Sequence, residues 1–334
     1  MGRLGLEPRT NGLKVRCSTI ELTPLVHPSS VTWDLRKSSR LPPGAVGCVD
    51  VTAADWQDGA QSSCRGVPVT SRFVHSAFFE QVSRGSFHAT EATSGPWSPK
   101  AQHGGPPSAL AVRDMERHEP NELMRLARVA VDILRPIPVD VLTVRTRTLR
   151  PGRRVALLET VVEAGGQDVL YARGWRIGRS EGLPVIAPNA SVPGIPDGAA
   201  PPLFPGGHMD GYLAAIDWRF LTGGFAESGP GKAWSRPRIP LIDGELLTPM
   251  TRTMLLADSG SGVGMTLDPS RFQFLNVDLT VVLQRDPIGE WLLLDAITTM
   301  GGQGTGMTET QLSDRDGVIG TGLQTQLVVP VAPV

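Results

Sequence analysis

Apolar and polar residues alternate in four segments between residues 126 and 177, which is the pattern of strands with one buried face. The predicted strands are Leu126–Leu134, Val139–Leu149, Val155–Val162 and Val169–Ile177. A helix is predicted before them, from Ser108 to about His118, because Gly104-Gly105-Pro106-Pro107 places proline in the first helical turn. A strand or hairpin is predicted within Phe78–Trp97, ahead of that helix.

The same order of elements is predicted again further along the chain. Two strands, near Gly211–Phe225 and Lys232–Arg238, precede a helix from about Leu246 to Gly260. The strands predicted after it lie near Phe272–Gln284, Trp291–Met300, Gly306–Ser313 and Val318–Val329. Two short matches support a repeat: Val131-Asp132-Ile133 with Val277-Asp278-Leu279, and Gly152–Glu159 with Gly289–Asp295. We therefore interpret the chain as an internal duplication of one α+β unit.

The duplication predicts the domain organisation. Residues 72–182 form the predicted N-terminal domain and residues 208–334 the C-terminal domain, with the Pro- and Gly-rich residues 183–207 as the linker. Residues 1–71 lack both helical and strand periodicity, so we interpret them as a disordered or spurious N-terminal extension. Gly5–Leu22 resembles the peptide obtained when a reading frame is extended back through a transfer-RNA gene.

The repeated unit also predicts a fold. One helix covers only one face of a sheet, and the sheet leaves an edge that needs a partner. Two copies can meet these needs by pairing their sheets, with both helices on the same side. The prediction is an α+β fold of the tandem (double) hotdog type, with two antiparallel sheets each wrapped around a central helix.

Composition excludes several classes of function. The 334 residues carry 32 Lys and Arg against 33 Asp and Glu, a net charge of −1, which argues against a nucleic acid or an anionic membrane as a partner. No apolar run approaches the roughly 18 residues of a membrane span, and no secretory signal is visible. All three cysteines precede residue 65, which excludes a cysteine nucleophile or a disulfide framework from the remainder. A cytoplasmic location is the default expectation.

The six histidines all precede residue 209, so the second half of the chain has none. A Ser–His–Asp hydrolase would need a histidine from the first half, and no Gly-x-Ser-x-Gly motif is present. Metal catalysis would need a cluster such as His-x-x-x-His, which is also absent, so no metal is predicted.

Polar residues inside apolar elements are the remaining candidates. Asp258 follows Met254-Leu255-Leu256-Ala257 near the end of the second helix, where a buried carboxylate is suited to act as a general base, although a solvated Asp is an equal alternative. Asn276 and Asp278 are two apart and are expected to share one face of a strand, with Asp278 in a structural role. Gln324 is predicted in mid-strand, where most glutamines are simply exposed.

The segment Gln102-His103-Gly104-Gly105-Pro106-Pro107 is a further candidate. Two glycines at the start of a helix let a ligand approach the backbone, and free N–H groups there bind an anion or an oxyanion. The alternative is a tight loop that needs glycine for a positive φ angle.

Several of these motifs together resemble the actinobacterial thioesterase-like, double-hotdog family. They are Gly95-Pro96-Trp97, Gln102–Leu110, Leu256-Ala257-Asp258-Ser259, Asn276–Thr280, Arg285–Trp291 and Gly320–Thr325. That family is similar to the type II acyl-CoA thioesterases, in which an Asp, a Ser or Thr, and a Gln activate a water molecule. The resemblance assigns these roles to Asp258, Asn276 and Gln324, with Asn276 a departure from Ser or Thr.

The resemblance implies direct hydrolysis of an acyl-CoA thioester, without a cofactor. His103, Gly104 and Gly105 would then bind the substrate, the two glycines stabilising the oxyanion through their N–H groups. Two alternatives stay open: a non-catalytic acyl- or acyl-CoA-binding protein, and a hotdog hydratase or dehydratase built on His103 and Asp258. Acyl chain length, the choice between coenzyme A and an acyl carrier protein, and assembly as a homodimer are not readable from the sequence.

Overall fold

In the part of the chain that the structure describes, fifteen strands and two long helices account for most of the regular structure. The computed structural model describes residues 75–186, 191–198 and 207–331; the predicted extension at 1–71 lies outside these residues. The elements of the first half are β1 (Phe79–Ser83), β2 (Ser86–Ala89), β3 (Ser94–Gly95), β4 (Ser98–Gln102), α1 (Gly105–Arg117), β5 (Met124–Ile133), β6 (Val141–Arg150), β7 (Val155–Ala164) and β8 (Gln167–Gly178).

The second half repeats this order. Its elements are β9 (Ile216–Gly224), β10 (Glu227–Pro237), α2 (Pro249–Ala257), the short helix α3 (Gly260–Val263), β11 (Phe272–Asn276), β12 (Asp278–Leu283), β13 (Leu292–Met300), β14 (Thr305–Asp314) and β15 (Gly317–Pro330). The predicted elements are therefore present, with boundaries shifted by a few residues. None of the helices in the described ranges has the length and apolar character that a bilayer span requires.

All the strands except β3 and β4 belong to one antiparallel sheet. Its order is β1-β2-β6-β7-β8-β5-β12-β15-β14-β13-β10-β9, with β11 beside β15. The two halves meet where β5 pairs with β12, and Asp132 lies opposite Asp278 at this junction. The two predicted sheets are thus joined into one, which covers an edge strand of each half.

The strand order corrects one of the two sequence matches. The order is symmetric about the β5–β12 junction, so β6 corresponds to β13 and β7 to β14. The match of Val131-Asp132-Ile133 with Val277-Asp278-Leu279 agrees with this symmetry. The match of Gly152–Glu159 with Gly289–Asp295 is wrong by one strand, because it places β7 against β13. Both segments are glycine turns followed by buried apolar strands, and that pattern recurs throughout the sheet.

Helices α1 and α2 lie on the same face of the sheet and pack against each other. Their buried side chains join those of both halves in one core cluster. Pro249 occupies the first turn of α2, and the Thr248 hydroxyl caps it by accepting from the Thr251 N–H at 3.1 Å. The helix predicted from Leu246 to Gly260 is therefore shorter at its start, and it stops at Ala257 before α3 begins.

Of the predicted linker, residues 183–186, 191–198 and 207 are described, and they contain neither helix nor strand. The indole N–H of Trp234 donates to the Pro193 carbonyl at 3.2 Å, which attaches this segment to β10. The domain limits at 72–182 and 208–334 stay a prediction.

Candidate active site

Asp258 lies at the point where the second long helix stops. It is the residue after α2, and it is only 2% exposed. The chain then passes close to β14, because a Cβ at Gly260 would overlap the Thr310 hydroxyl. Glycine at 260 therefore lets the chain turn directly after Asp258, and the carboxylate remains inside the protein.

Two side-chain amides hold one oxygen of this carboxylate. Asp258 Oδ1 accepts from Asn276 Nδ2 at 2.9 Å and from Gln324 Nε2 at 3.2 Å. Gln324 Nε2 also donates to the Asp258 carbonyl at 2.9 Å, while its Oε1 accepts from the Ser261 N–H at 3.1 Å. The structure thus brings the three sequence candidates together, with both amides directed at the carboxylate.

Asn276 and Asp278 do not share a face, which corrects the expectation from their spacing. Asn276 of β11 pairs with Gln326 of β15, and Thr280 of β12 pairs with Leu323 of β15. Three residues lie between Asn276 and Thr280, but only two lie between Leu323 and Gln326 on the opposing strand. This extra residue is a β-bulge, and it reverses the direction of side chains beyond it. Asn276 therefore points at Asp258, whereas Asp278 Oδ1 accepts from the Thr325 N–H at 2.5 Å.

A chain of buried polar side chains supports Asn276 from behind. Gln326 Nε2 donates to Asn276 Oδ1 at 3.3 Å, and Gln326 Oε1 accepts from the Thr308 hydroxyl at 3.3 Å. Thr308 in turn shares a 2.7 Å hydrogen bond with Thr298. This chain fixes the direction of the Asn276 amide. Sequence reasoning missed Gln326, although its spacing of two from Gln324 places both on one face of a strand.

The other carboxylate oxygen faces the first half of the chain. Asp258 Oδ2 lies 3.1 Å from His103 Nδ1, and the Gly105 N–H donates to the same nitrogen at 3.1 Å. When Nδ1 carries no hydrogen, its lone pair accepts the hydrogen bond from the Gly105 N–H. When Nδ1 is protonated, its hydrogen can be donated to Asp258 Oδ2. His103 Nδ1 is therefore placed to exchange a proton with Asp258.

The His103 ring is stacked on a buried tyrosine. The ring centroids of His103 and Tyr212 are 3.8 Å apart, with 7° between the planes. The Tyr212 hydroxyl is bonded to the Leu255 carbonyl and to Ser259 Oγ, both at 2.8 Å. Burial lowers the pKa of His103, opposed by the nearby Asp258 carboxylate, and burial also raises the pKa of Tyr212. The imidazole is accordingly neutral at neutral pH.

The two glycines of the first helix have different surroundings. A Cβ at Gly104 would lie 2.8 Å from Asp258 Oδ2, so this backbone directly adjoins the carboxylate. A Cβ at Gly105 would overlap the Leu255 carbonyl, so Gly105 allows α1 and α2 to approach closely. The Gly105 N–H is bonded to His103, whereas the Gly104 N–H has no protein partner within the described part of the chain.

These groups line one end of a cavity of about 400 Å³. His103 and Gly104 from the first half, and Asp258, Ser261 and Asn276 from the second, form its polar end. The remaining wall is mainly apolar and includes Trp97, Ile137, Leu213, Phe225, Met265 and Phe274. A predominantly apolar cavity with a few convergent polar groups is the usual form of a small-molecule site.

The described residues contain no cluster of three His, Cys, Asp or Glu side chains that could hold a metal ion. The polar end of the cavity therefore offers a carboxylate, an imidazole, amides and backbone N–H groups as its chemistry.

Two family models match the chain, and together they cover more than half of it. Residues 93–177 match the acyl-CoA thioesterase N-terminal domain, and residues 195–328 match the acyl-CoA thioesterase C-terminal domain. The chain belongs to the acyl-CoA thioesterase family. The two matched regions contain the cavity residues of both halves. The four site residues therefore lie in the parts of the chain that match the thioesterase family: His103, Asp258, Asn276 and Gln324.

The likeness to solved structures indicates that this chain has a hotdog fold. A conserved protein of unknown function with a hot dog fold from Alicyclobacillus acidocaldarius is 19% identical, with 80% of this chain and 100% of that chain covered at a TM-score of 0.57. The acyl-CoA thioesterase II TesB2 of Mycobacterium marinum is 15% identical, with 76% and 96% covered at a TM-score of 0.57. No curated protein sequence matches this thioesterase-family chain.

Proposed function

We propose that this protein hydrolyses acyl-CoA thioesters by direct attack of a water molecule. The observation that carries the proposal is the Asp258 carboxylate, buried at the polar end of an apolar cavity and held by two amide donors. Membership of the acyl-CoA thioesterase family supports it. The cavity would take the acyl group, and the carbonyl would lie beside Asp258.

Asp258 Oδ2 is the oxygen available to a water molecule, since both amides donate to Oδ1. In the proposed reaction Oδ2 removes a proton from water while the water oxygen forms a bond to the thioester carbon. The carbon–sulfur bond then breaks, and the thiolate of coenzyme A leaves and takes up the proton. The products are the free acid and coenzyme A, with no covalent enzyme intermediate.

His103 and Gly104 complete the proposed mechanism. A proton on Asp258 Oδ2 can donate to His103 Nδ1, whose lone pair the Gly105 N–H already orients. The free N–H of Gly104 would stabilise the oxyanion, a contribution of roughly 3 kcal/mol for one donor. Asn276 and Gln324 hold the base in this proposal, which replaces the expectation that they aim the water.

We propose further that the two halves form the tandem double hotdog. The symmetric strand order about β5 and β12, and the one long helix in each half, support this arrangement. Coenzyme A as carrier, a cytoplasmic location and assembly as a homodimer remain parts of the proposal.

The test is thiol release from acyl-CoA substrates, comparing the native protein with Asp258→Asn. Loss of the base should lower kcat by at least about a thousandfold, with the melting temperature retained. Asp114→Asn is the matched control, because Asp114 is also a helix carboxylate hydrogen-bonded to the sheet but lies outside the cavity. Equal activity of Asp258→Asn and native protein contradicts the proposed mechanism. No thiol release from the native protein, with acyl-CoA raising its melting temperature, indicates a binding protein instead.

A hydratase or dehydratase is the second candidate, favoured by the contact between His103 and Asp258. In that chemistry an Asp and a His act on the substrate from two directions. Here His103 Nδ1 and Asp258 Oδ2 are only 3.1 Å apart, which leaves no room for substrate carbons between them. A change in enoyl absorbance without thiol release would establish this candidate.

A further inference from the structure

The cavity has an exposed end and a closed end, and the depth of the closed end bears on the substrate. Leu134 and Val277 line the cavity but are 44% and 42% exposed, so the opening lies beside them, near the β5–β12 junction. Phe225 and Met265 line the same cavity and are only 3% and 2% exposed. The cavity therefore ends at these side chains.

The Phe225 ring is fixed on several sides. Trp218 and Phe220 meet it edge-on, with centroids 5.0 and 5.1 Å away. A Cβ at Gly262 would lie 3.0 Å from Phe225 Cε1, so α3 packs against the ring as well. A ring held by two aromatic neighbours and a helix does not swing aside easily, and it forms a rigid end wall.

The segment that carries the base also leads to this wall. Asp258, Ser261, Gly262 and Met265 all line the cavity, so the chain follows it from the carboxylate to the closed end. A substrate whose thioester carbonyl lies beside Asp258 would therefore extend its acyl chain toward Phe225. Its carrier would extend out of the cavity through the exposed end.

We propose that Phe225 sets the upper limit of acyl chain length, so that the substrates are medium-chain acyl thioesters of up to about ten carbons. This inference rests on the proposed function. The cavity of about 400 Å³ lies near the small end of the range of small-molecule sites, roughly 300 to 1,000 Å³. The thioester group and the start of the carrier arm also need part of this space, so a small cavity that ends at Phe225 favours a medium-length acyl chain over a long one.

The experiment measures kcat/KM for thiol release over saturated acyl-CoA substrates from two to eighteen carbons. The native protein should be most active near eight to ten carbons and at least about tenfold less active at sixteen. Phe225→Ala should move the optimum to longer chains, while activity on the shortest substrates changes by less than about threefold. Phe272→Ala is the matched control, because Phe272 is a partly buried phenylalanine of the same half that neither lines the cavity nor holds Phe225.

Two results would overturn the inference: equal activity of the native protein on eight and sixteen carbons, or an unchanged profile in Phe225→Ala. If Phe225→Ala does not fold, Phe225→Leu tests the same wall, and the native profile already tests the limit. If no substrate releases thiol, the proposed function fails separately. Binding of non-hydrolysable acyl-CoA thioethers of each length, followed by melting temperature, then decides the chain-length limit.

Discussion

Asp114 and Asp258 occupy the same position in the two halves, yet only Asp258 lines the cavity described above. Each is nine residues after the first residue of its helix, α1 or α2. Asp114 accepts a 2.6 Å hydrogen bond from Thr146, and α1 continues past it to Arg117. Asp258 ends α2 and lines the cavity. The duplicated unit therefore uses one carboxylate for packing and the other for a site.

The strands beneath the two carboxylates explain this difference. Equivalent threonine pairs, Thr146 with Thr160 and Thr298 with Thr308, form 2.7 Å hydrogen bonds in both halves. The next strand carries Ala172 and Gly174 in the first half, at the positions of Gln324 and Gln326 in the second.

A Cβ at Gly174 would lie 2.7 Å from Met115 Sδ, so the Met115 side chain of α1 fills the space at the position that Gln326 has in the second half. In the second half, Gly306 leaves space for the Gln326 side chain, since a Cβ at Gly306 would lie 2.8 Å from Gln326 Oε1. The second half thus carries amides where the first half has small residues, and its helix ends earlier.

The largest effect on stability is expected at the contact between the two helices. Gly105→Ala would place a Cβ on the Leu255 carbonyl, and neither backbone can yield without separating α1 from α2. We expect a loss of about 3 kcal/mol in the free energy of unfolding, measured by urea denaturation.

Gly104→Ala is the matched change one residue earlier, and its effect should differ in kind. Its Cβ would meet the Asp258 side chain, 2.8 Å from Oδ2, which can move. We expect about a hundredfold lower kcat from the displaced base, with a smaller loss of stability than in Gly105→Ala. Equal stability losses in the two variants would contradict these separate roles.

The amide chain of the second half is tested by Gln326→Glu. A carboxylate cannot donate to Asn276 Oδ1, so the Asn276 amide should rotate and turn its oxygen toward Asp258. We expect kcat to fall by about tenfold to a hundredfold, while KM changes little, and Gln326→Met to lose less. Gln311→Glu, on the exposed face of β14, should leave kcat unchanged. A change confined to KM would show that Gln326 does not act through the base.

The fold could be predicted largely from the sequence, because strand alternation and the Gly-Pro start of α1 are local signals. The repeated Val-Asp motif at residues 131 and 277 correctly matched two equivalent strands, but that these strands pair at the junction of the halves is known only from the structure. The correspondence of β7 with β13 failed because glycine turns before apolar strands recur, and only pairing distinguishes the strands.

Less of the candidate site than of the fold could be predicted from the sequence. Asp258 stood out as a carboxylate inside an apolar run, and the structure places Asn276 and Gln324 against it. The β-bulge after Asn276 could not be predicted, because it depends on the register against β15. The role of Gln326 depends on a partner 50 residues away in the chain, which spacing alone does not indicate.

A smaller difference is expected between the two threonine pairs. Thr146→Val removes the hydroxyl that donates to Asp114, which should cost about 1 kcal/mol of stability without changing kcat. Thr298→Val breaks the chain that reaches Asn276 through Thr308 and Gln326, so it should cost a similar amount and also lower kcat by a few-fold. Thiol release and urea denaturation on both variants provide the measurement. A fall in kcat for Thr146→Val would show that the first half also contributes to the reaction.

A pH-dependent effect is expected at His103, which the first half supplies to the second half's carboxylate. Burial lowers the pKa of His103 in the folded protein below its ordinary value of 6.5, while the unfolded chain keeps that value. Below pH 6.5 the unfolded state therefore binds a proton that the folded state does not. Stability contributed by the neutral imidazole is complete above pH 6.5 and is lost as the pH falls, by at most about 1.4 kcal/mol per pH unit.

His103→Gln should remove this dependence, because an amide does not titrate. We expect the free energy of unfolding of the native protein to decrease more steeply between pH 6.5 and 5 than that of the variant. Urea denaturation at several pH values measures both slopes. If the native protein instead becomes more stable relative to the variant as the pH falls, then the ionised Asp258 carboxylate outweighs burial at His103. The imidazole would in that case be charged beside Asp258 and would not accept a proton from it.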